Sequence, residues 1–267
     1  MKVAFLGAGR MATALAHGLI EKKVLTSEHV FASDPADEAR ASFEKRTGAK
    51  TFSDNRRMLE HAEIIILAVK PQQVKTLLEK IGSSLENKLF ISIAAGVVLA
   101  RLESLVHATT RLIRVMPNTP ALVGAGASVF SLGARATEKD AMVVKGLFSA
   151  VGLVEQVPEA WLNEVTALSG SGPAYFFAIL EALLDRAAIQ HLPDDLALKL
   201  ATQTMLGAAK MVLETGKSLS ELREAVTSPG GTTFEALQVL KNRNMHEAFV
   251  EAVQAATRRS KELSALA

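Results

Sequence analysis

Gly7, Ala8, Gly9, Arg10, Met11 and Ala12 follow an apolar run and lead into a helical one, with the spacing G-x-G-x-x-A. The first glycine permits a tight turn, the second lets a pyrophosphate approach the backbone, and the alanine keeps the helix close to its strand. The helix start offers N–H groups and a partial positive charge to phosphate oxygens. Far along the chain, Val226-Thr227-Ser228-Pro229-Gly230-Gly231-Thr232-Thr233 has the makings of a second anion site. Pro229 stiffens the turn, Gly230 and Gly231 bare their N–H groups, and Ser228, Thr232 and Thr233 add hydroxyls. The helix that follows aims its N-terminus at the turn, so the stretch suits a carboxylate. Thr233 also fits as a helix N-cap with Glu235 in the first turn, and the two roles are compatible.

Other candidates sit where apolar runs end. Phe31-Ala32-Ser33-Asp34-Pro35 closes the second strand, whose tip in a dinucleotide-binding sheet meets the adenosine ribose. Asp34 favours the free 2′-hydroxyl of NADH, whereas Ser33 with a nearby cation suits a 2′-phosphate. Asp34 is also a natural turn former before Pro35. Ala68, Val69, Lys70 and Pro71 end another apolar run, and strand ends face the ligand crevice in open α/β sheets. Lys70 is thereby placed to meet a ligand, or stands as a plain surface lysine. Met116-Pro117-Asn118-Thr119-Pro120 is a loop stiffened by two prolines. Asn118 is positioned to bond a nicotinamide amide or to buttress the loop.

These candidates need elements to hold them. Strands are predicted at Val3–Leu6, Val30–Ala32, Ile64–Val69, Leu89–Ala94, Leu112–Val115 and Ser128–Phe130. Several are continuously apolar, as in a parallel sheet covered on both faces. Helical spacing lies between them, as over Met11–Lys22 and Val74–Leu85, so the first half reads as a doubly wound sheet. After about Pro158 strand signals stop. Helices are predicted at Tyr175–Ile189, Asp194–Glu214, Leu219–Val226, Phe234–Lys241 and His246–Leu263, with Ser228-Pro229-Gly230-Gly231 as a breaker. The division falls at 1–158 for a dinucleotide-binding domain and 159–267 for a helical one. Leu196 to Val212 is apolar or small on most faces, which a small bundle cannot bury alone, so an obligate dimer through this half is expected.

Bulk properties exclude several classes. Apolar residues make up 49% and charged residues 22%, and the net charge of +2 gives no basic footprint for nucleic acid. Cysteine is absent, which removes thiolate nucleophiles, disulfides and Cys-based metal sites. No metal is expected. No apolar run reaches the ~18 residues of a spanning helix, and glycines follow the first strand too soon for a signal peptide. A soluble, cytoplasmic protein without membrane or nucleic-acid partners is the expectation.

Five stretches together resemble the pyrroline-5-carboxylate reductase family over essentially the whole chain: Gly7–Met11, Ala68–Gln72, Val115–Ala121, Leu168–Tyr175 and Val226–Thr233. The last two are highly specific as a pair, and the spacing of all five fits. The resemblance implies an N-terminal Rossmann domain and an all-α helical-bundle dimerisation domain. It implies reduction of 1-pyrroline-5-carboxylate to proline with NADPH or NADH, in dimers often assembled into decamers. It places Ser33, Asn55, Lys70 and the Ala94–Ala95 backbone around the dinucleotide, and the 226–233 turn on the substrate carboxylate. The chain departs from the family twice. Arg10 stands where Asn is usual, and Asp34 stands where an Arg often holds the 2′-phosphate.

Such a reaction asks the protein to hold a ring carboxylate and an iminium while the cofactor supplies the chemistry. Leu168–Tyr175 opens the first C-terminal helix in this reading, and Ser171 and Gly172 permit close approach by the ring. Thr166, one turn earlier, is the candidate to bond the ring nitrogen. Glu159 is a second candidate, able to pair with the iminium or standing as an exposed loop acid. The six histidines lie outside the five motifs and carry no catalytic expectation. Rival readings are a related imine reductase, a β-hydroxyacid-type dehydrogenase using a helix lysine such as Lys199 or Lys210, and a non-catalytic NAD(P) sensor.

Overall fold

The computed structural model describes residues 1–266, so the last residue of the 159–267 span lies outside it. The chain forms two compact units. One comprises Met1–Pro173 together with residues from 255 onward, the other Ala174–Gln254.

The first unit carries one eight-stranded sheet in the order β3-β2-β1-β4-β5-β6-β7-β8. The strands are β1 (Val3–Leu6), β2 (Val30–Ser33), β3 (Lys50–Phe52), β4 (Ile64–Leu67), β5 (Leu89–Ser92), β6 (Arg111–Met116), β7 (Gly126–Leu132) and β8 (Gly152–Gln156). β1 to β6 run parallel, while β7 pairs antiparallel with β6 and parallel with β8. Helices α1 (Arg10–Glu21), α2 (Asp37–Thr47), α3 (Asn55–Leu59), α4 (Pro71–Ile81), α5 (Leu99–Glu103) and α6 (Glu138–Phe148) connect them.

β1 shows why its residues read as an unbroken apolar run. Val3 and Phe5 pack on one face with Leu15 and Leu19 of α1, while Ala4 and Leu6 pack on the other with Val74 and Leu78 of α4. Alternate side chains of a strand point to opposite faces, and helices cover both. The six predicted strands form close to their expected bounds. β3 and β8 were not anticipated: they lie at the sheet's two edges, are short and are partly exposed, so their apolar signal is weak. The helical spacing over Val74–Leu85 resolves into α4, which starts at Pro71 and stops at Ile81, followed by a 3-10 turn over Gly82–Leu85. Proline needs no N–H at the first helical position, which sets that start.

A helical run also begins earlier than expected. α7 (Leu162–Val165) leads through a π turn over Thr166–Gly170 into α8 (Gly172–Leu183). The Leu168–Tyr175 motif therefore lies inside a helical run and does not open one. The run stops at Leu183, short of the predicted Ile189.

The second unit holds α9 (Asp194–Thr215), α10 (Leu219–Ala225), α11 (Thr232–Asn242) and the start of α12 (Met245–Leu266), whose residues from 255 onward belong to the first unit. Ala197 is the one α9 residue that is buried, and Leu213 is 84% exposed. Leu196, Leu198, Leu200, Leu206 and Met211 are exposed as well. A cavity of about 830 Å³ within this unit is lined by apolar side chains, among them Phe176, Ile179, Leu200, Met205 and Val212. An apolar surface of this extent marks an association surface. Among the described residues no helix is long and apolar enough to cross a membrane.

Candidate functional site

The first unit carries a groove at the C-terminal ends of β1, β4, β5 and β6, with a volume of about 670 Å³. Gly7, Gly9, Arg10, Met11, Asp34, Ala68, Val69, Lys70, Pro71, Ala94 and Ala95 all line it. Gly7 and Ala95, 88 positions apart, meet here because parallel strands all deliver their C-terminal ends to one edge.

The glycine turn has the shape its spacing requires. Gly7 adopts φ +101°, and its N–H donates to Ser33 O at 2.8 Å. A Cβ at Gly7 would lie 2.8 Å from Ala68 O, so a side chain there would push the turn off the next strand. Gly9 is the N-cap of α1 with φ −73°, and a Cβ there would meet nothing within 4 Å. Its surface faces open space, which is what a phosphate needs. Arg10 opens α1, is exposed and forms no ion pair among the described residues. Lys70 caps α4 and is exposed, with its backbone N–H donating to Gln73 Oε1 at 3.2 Å.

Asp34 is anchored through its own oxygens. Oδ2 accepts from Ala8 N at 3.0 Å and Oδ1 from Ala36 N at 2.9 Å. The nearby Arg40 donates to Asp34 O at 2.7 Å and pairs with Asp37, so that cation is already engaged. Ser33 is buried, and its hydroxyl donates to Asn55 Oδ1 at 2.6 Å. Ser33, Asp34 and Asn55 line an adjoining pocket of about 440 Å³ that also contains Lys80.

Two residues expected near the ligand have structural partners. Asn118 is buried, donates from Nδ2 to Ser169 O at 3.0 Å and accepts from Ala127 N at 2.8 Å on Oδ1. One N–H and one lone pair of its amide thus tie the loop to the π turn and to β7, the buttressing role. Glu159 Oε1 accepts from Leu99 N at 2.7 Å and from Arg114 Nη1 at 2.8 Å. Its Oε1 is thus held inside the fold, and the side chain is 31% exposed, so it is more than a loop acid in solvent.

Thr166 donates its hydroxyl proton to Leu162 O at 2.6 Å. Its oxygen keeps its acceptor capacity only. Thr166 lies in the π turn close to Met116, a groove residue: a Cβ at Gly170 would sit 2.6 Å from Met116 Cε and 3.6 Å from Thr166 Cγ2. Ser171 and Gly172 continue the run, with Ser171 N donating to Thr166 O at 2.8 Å. π turns recur at functional sites because they widen the helix and re-aim side chains.

In the second unit, Gly231 N donates to Ser228 O at 3.0 Å, and Gly230 adopts φ +68°. Gly231 is the N-cap of α11, so Thr232 and Thr233 lie in its first turn and Thr233 is not the cap. Helix geometry leaves the first N–H groups of α11 without intrahelical acceptors. Ser228, Gly230, Gly231, Thr232 and Thr233 thus form one turn at a helix N-terminus. Lys199 and Lys210 are exposed and face Asp195 and Glu214 one turn away, as surface lysines do.

Comparison with known proteins bears on the same residues. Residues 159–263 match the family model for pyrroline-5-carboxylate reductase dimerisation, and residues 2–96 match the model for NADP oxidoreductase, coenzyme F420-dependent. A pyrroline-5-carboxylate reductase of Methanosarcina acetivorans is 43% identical over 263 residues, covering 98% of this chain and 97% of that protein. The solved pyrroline-5-carboxylate reductase of Coxiella burnetii superposes with a TM-score of 0.91 at 38% identity, covering 98% of both chains. That of Plasmodium falciparum, with NADP bound, gives 0.90 at 32% identity, covering 99% of this chain and 98% of that one.

Proposed function

The chain belongs to the pyrroline-5-carboxylate reductase family, and from that premise we propose how its residues divide the work of the reaction. It is an NAD(P)H-dependent oxidoreductase acting on the CH–NH group, reducing 1-pyrroline-5-carboxylate to proline. The observation that carries the assignment of a dinucleotide to the groove is the open face of Gly9 beside the tight contact at Gly7. One glycine is needed by the protein and the other by the ligand, and the chain's residues fit the group.

The reduced nicotinamide supplies the hydride; the chain's residues bind and orient. Gly7, Ala8 and Gly9, with the N-terminus of α1, receive the pyrophosphate, and Met11 packs beneath it. Arg10 at the first helical position is unfavourable for the helix dipole, which suits a residue kept for an anion. Ala68, Val69, Lys70 and Pro71 line the groove together with Ala94 and Ala95 and would hold the dinucleotide there. The 228–233 turn is assigned the ring carboxylate, and Ser171 and Gly172, just after the π turn, are assigned the close approach of the ring. Thr166 Oγ1, its proton committed to Leu162 O, accepts from the N–H of a protonated imine. A neutral imine nitrogen has no proton to offer it, so this geometry favours the protonated substrate. Glu159 is given a holding role here, because its Oε1 takes both Leu99 N and Arg114 Nη1.

Asp34 and Ser33 bear on cofactor choice. A fixed carboxylate at the ribose end accepts from a 2′-hydroxyl and repels a 2′-phosphate, and the nearby Arg40 is already engaged by Asp34 O and Asp37. Asp34→Arg is expected to move the NADPH-to-NADH ratio of kcat/KM towards NADPH by at least about tenfold. An unchanged ratio removes Asp34 from the ribose. The activity itself is tested by NADH and NADPH oxidation with pyrroline-5-carboxylate, against 3-hydroxyisobutyrate as the substrate of a β-hydroxyacid-type enzyme. Turnover of the second alone overturns the assignment.

The chain self-associates through its helical part. A dimer covering the apolar face of α9, further assembled into decamers, accounts for its exposure. Residues 1–158 serve as the cofactor domain and 159–267 as the substrate and dimerisation domain. A cytoplasmic location accords with the absence of cysteine.

A further inference from the structure

The groove wall formed by the turn between β5 and α5 is only a few residues long, and it is fastened at three points. At its near end Ala94 N donates to Ser92 Oγ at 3.3 Å, and Ile93 N donates to Leu67 O at 3.0 Å. In its middle Gly96 adopts φ +79° against Leu263, whose Cβ would lie 3.6 Å from a Cβ placed there. Leu263 itself belongs to the last turns of α12, which are held to α7 by Ser260 Oγ donating to Asn163 Oδ1 at 2.7 Å and by Lys261 on Glu164 at 3.0 Å. At its far end Leu99 N, the first N–H of α5, donates to Glu159 Oε1.

We infer that Glu159 is a positioning residue for the cofactor: one carboxylate oxygen, held by the buried Arg114, grips Leu99 N and so sets the Ala94–Ala95 backbone at the groove. This rests on the reading that the dinucleotide lies along that backbone.

Three observations separate this from an ordinary surface ion pair. The Arg114 side chain is 5% exposed and that of Glu159 31%, so the pair is largely withdrawn from solvent and stronger for it. The same oxygen, Oε1, serves both donors, so the position of the guanidinium fixes the point at which Leu99 N is held. Arg114 in turn stands on β6 beside Ser92 of β5, the residue that fastens the near end of the turn. The two ends of the wall are therefore referred to one pair of neighbouring strands. α5 has five residues and cannot fix its own start, because so short a helix gains little from its internal bonds.

The test reads cofactor affinity directly, by titrating the intact protein into NADH or NADPH and following dinucleotide fluorescence without substrate. Glu159→Ala is expected to weaken binding about tenfold. Glu159→Gln keeps an oxygen for Leu99 N and Arg114 and is expected to stay within about threefold of the unaltered protein. Because Glu159→Ala strands a buried arginine and can unfold the chain, the double variant Glu159→Leu with Arg114→Met is measured alongside. An apolar pair in place of a buried ion pair generally keeps the fold, yet Leu99 N loses its acceptor, so the expected loss is again about tenfold. Asp140→Ala breaks the other arginine pair on β6, that of the half-exposed Arg111 at the strand's start with the buried Asp140. It is expected to lower the melting temperature with cofactor affinity unchanged. Affinity within about twofold of the unaltered protein in the double variant, or an equal loss in Asp140→Ala, overturns the inference. Gly9→Asp separates the two levels. Binding lost there but kept in the double variant sinks the role of Glu159 alone, whereas binding kept in both sinks the placement of the dinucleotide and the inference with it.

Discussion

Gly9→Asp is expected to lose cofactor binding by a factor of at least about a hundred while the protein melts no lower than before. The two halves of that result have separate causes. A Cβ at Gly9 meets nothing within 4 Å, and φ −73° is open to any residue, so the chain accepts the substitution. Aspartate is among the best N-cap residues and complements the helix dipole, which adds about 1 kcal/mol to α1. The ligand pays instead: a carboxylate set where the pyrophosphate must lie opposes it by about 4 kcal/mol at 4 Å in a surface dielectric. Gly7→Ala behaves differently. With φ +101° and Ala68 O 2.8 Å from the new Cβ, it strains the turn itself, and stability falls together with binding. Thermal melting and a cofactor titration on both variants check the contrast. Retained affinity in Gly9→Asp places the phosphates elsewhere.

Gly231→Val is expected to raise KM for the imine by about tenfold or more and to leave cofactor affinity as it was. The new side chain would press on Ser228 Oγ and come within 3.1 Å of Ser228 O, the acceptor that closes the turn. Opening the turn redirects the first N–H groups of α11, on which a carboxylate depends. The fold has little at stake, because the turn is largely exposed and helix α11 has no buried residue in the isolated chain. Steady-state kinetics at saturating cofactor, with a separate cofactor titration, give the two numbers. Equal changes in both, or none in either, remove the turn from the substrate.

Much of this was legible in the residues. Continuous apolar runs such as Val3–Leu6 and Ile64–Leu67 disclosed strands covered on both faces, because a buried parallel strand has no polar side to show. The glycine turn and the 228–233 turn were legible because few sequences satisfy such backbone demands. The edge strands β3 and β8 were not: with one side solvated and few residues, their patterns merge with those of loops. The π turn escaped for another reason. Its residues are compatible with an ordinary helix, and what distinguishes it are tertiary neighbours, Met116 beside Gly170 and Asn118 donating to Ser169 O.

By itself, then, the order of residues determined which backbone segments would turn tightly and which would be buried on both faces. These depend on local conformational limits and on the short-range pattern of apolar side chains. Only the tertiary structure decided what each polar candidate does. Asn118 and Glu159 looked free along the chain and are spoken for in the fold, by Ser169 and Ala127 and by Arg114 and Leu99. Asp34 proved tied to Ala8, 26 residues away. A hydrogen bond requires approach within about 3 Å, and which distant groups come that close is fixed by how strands and helices stack, a property that no local window of residues contains.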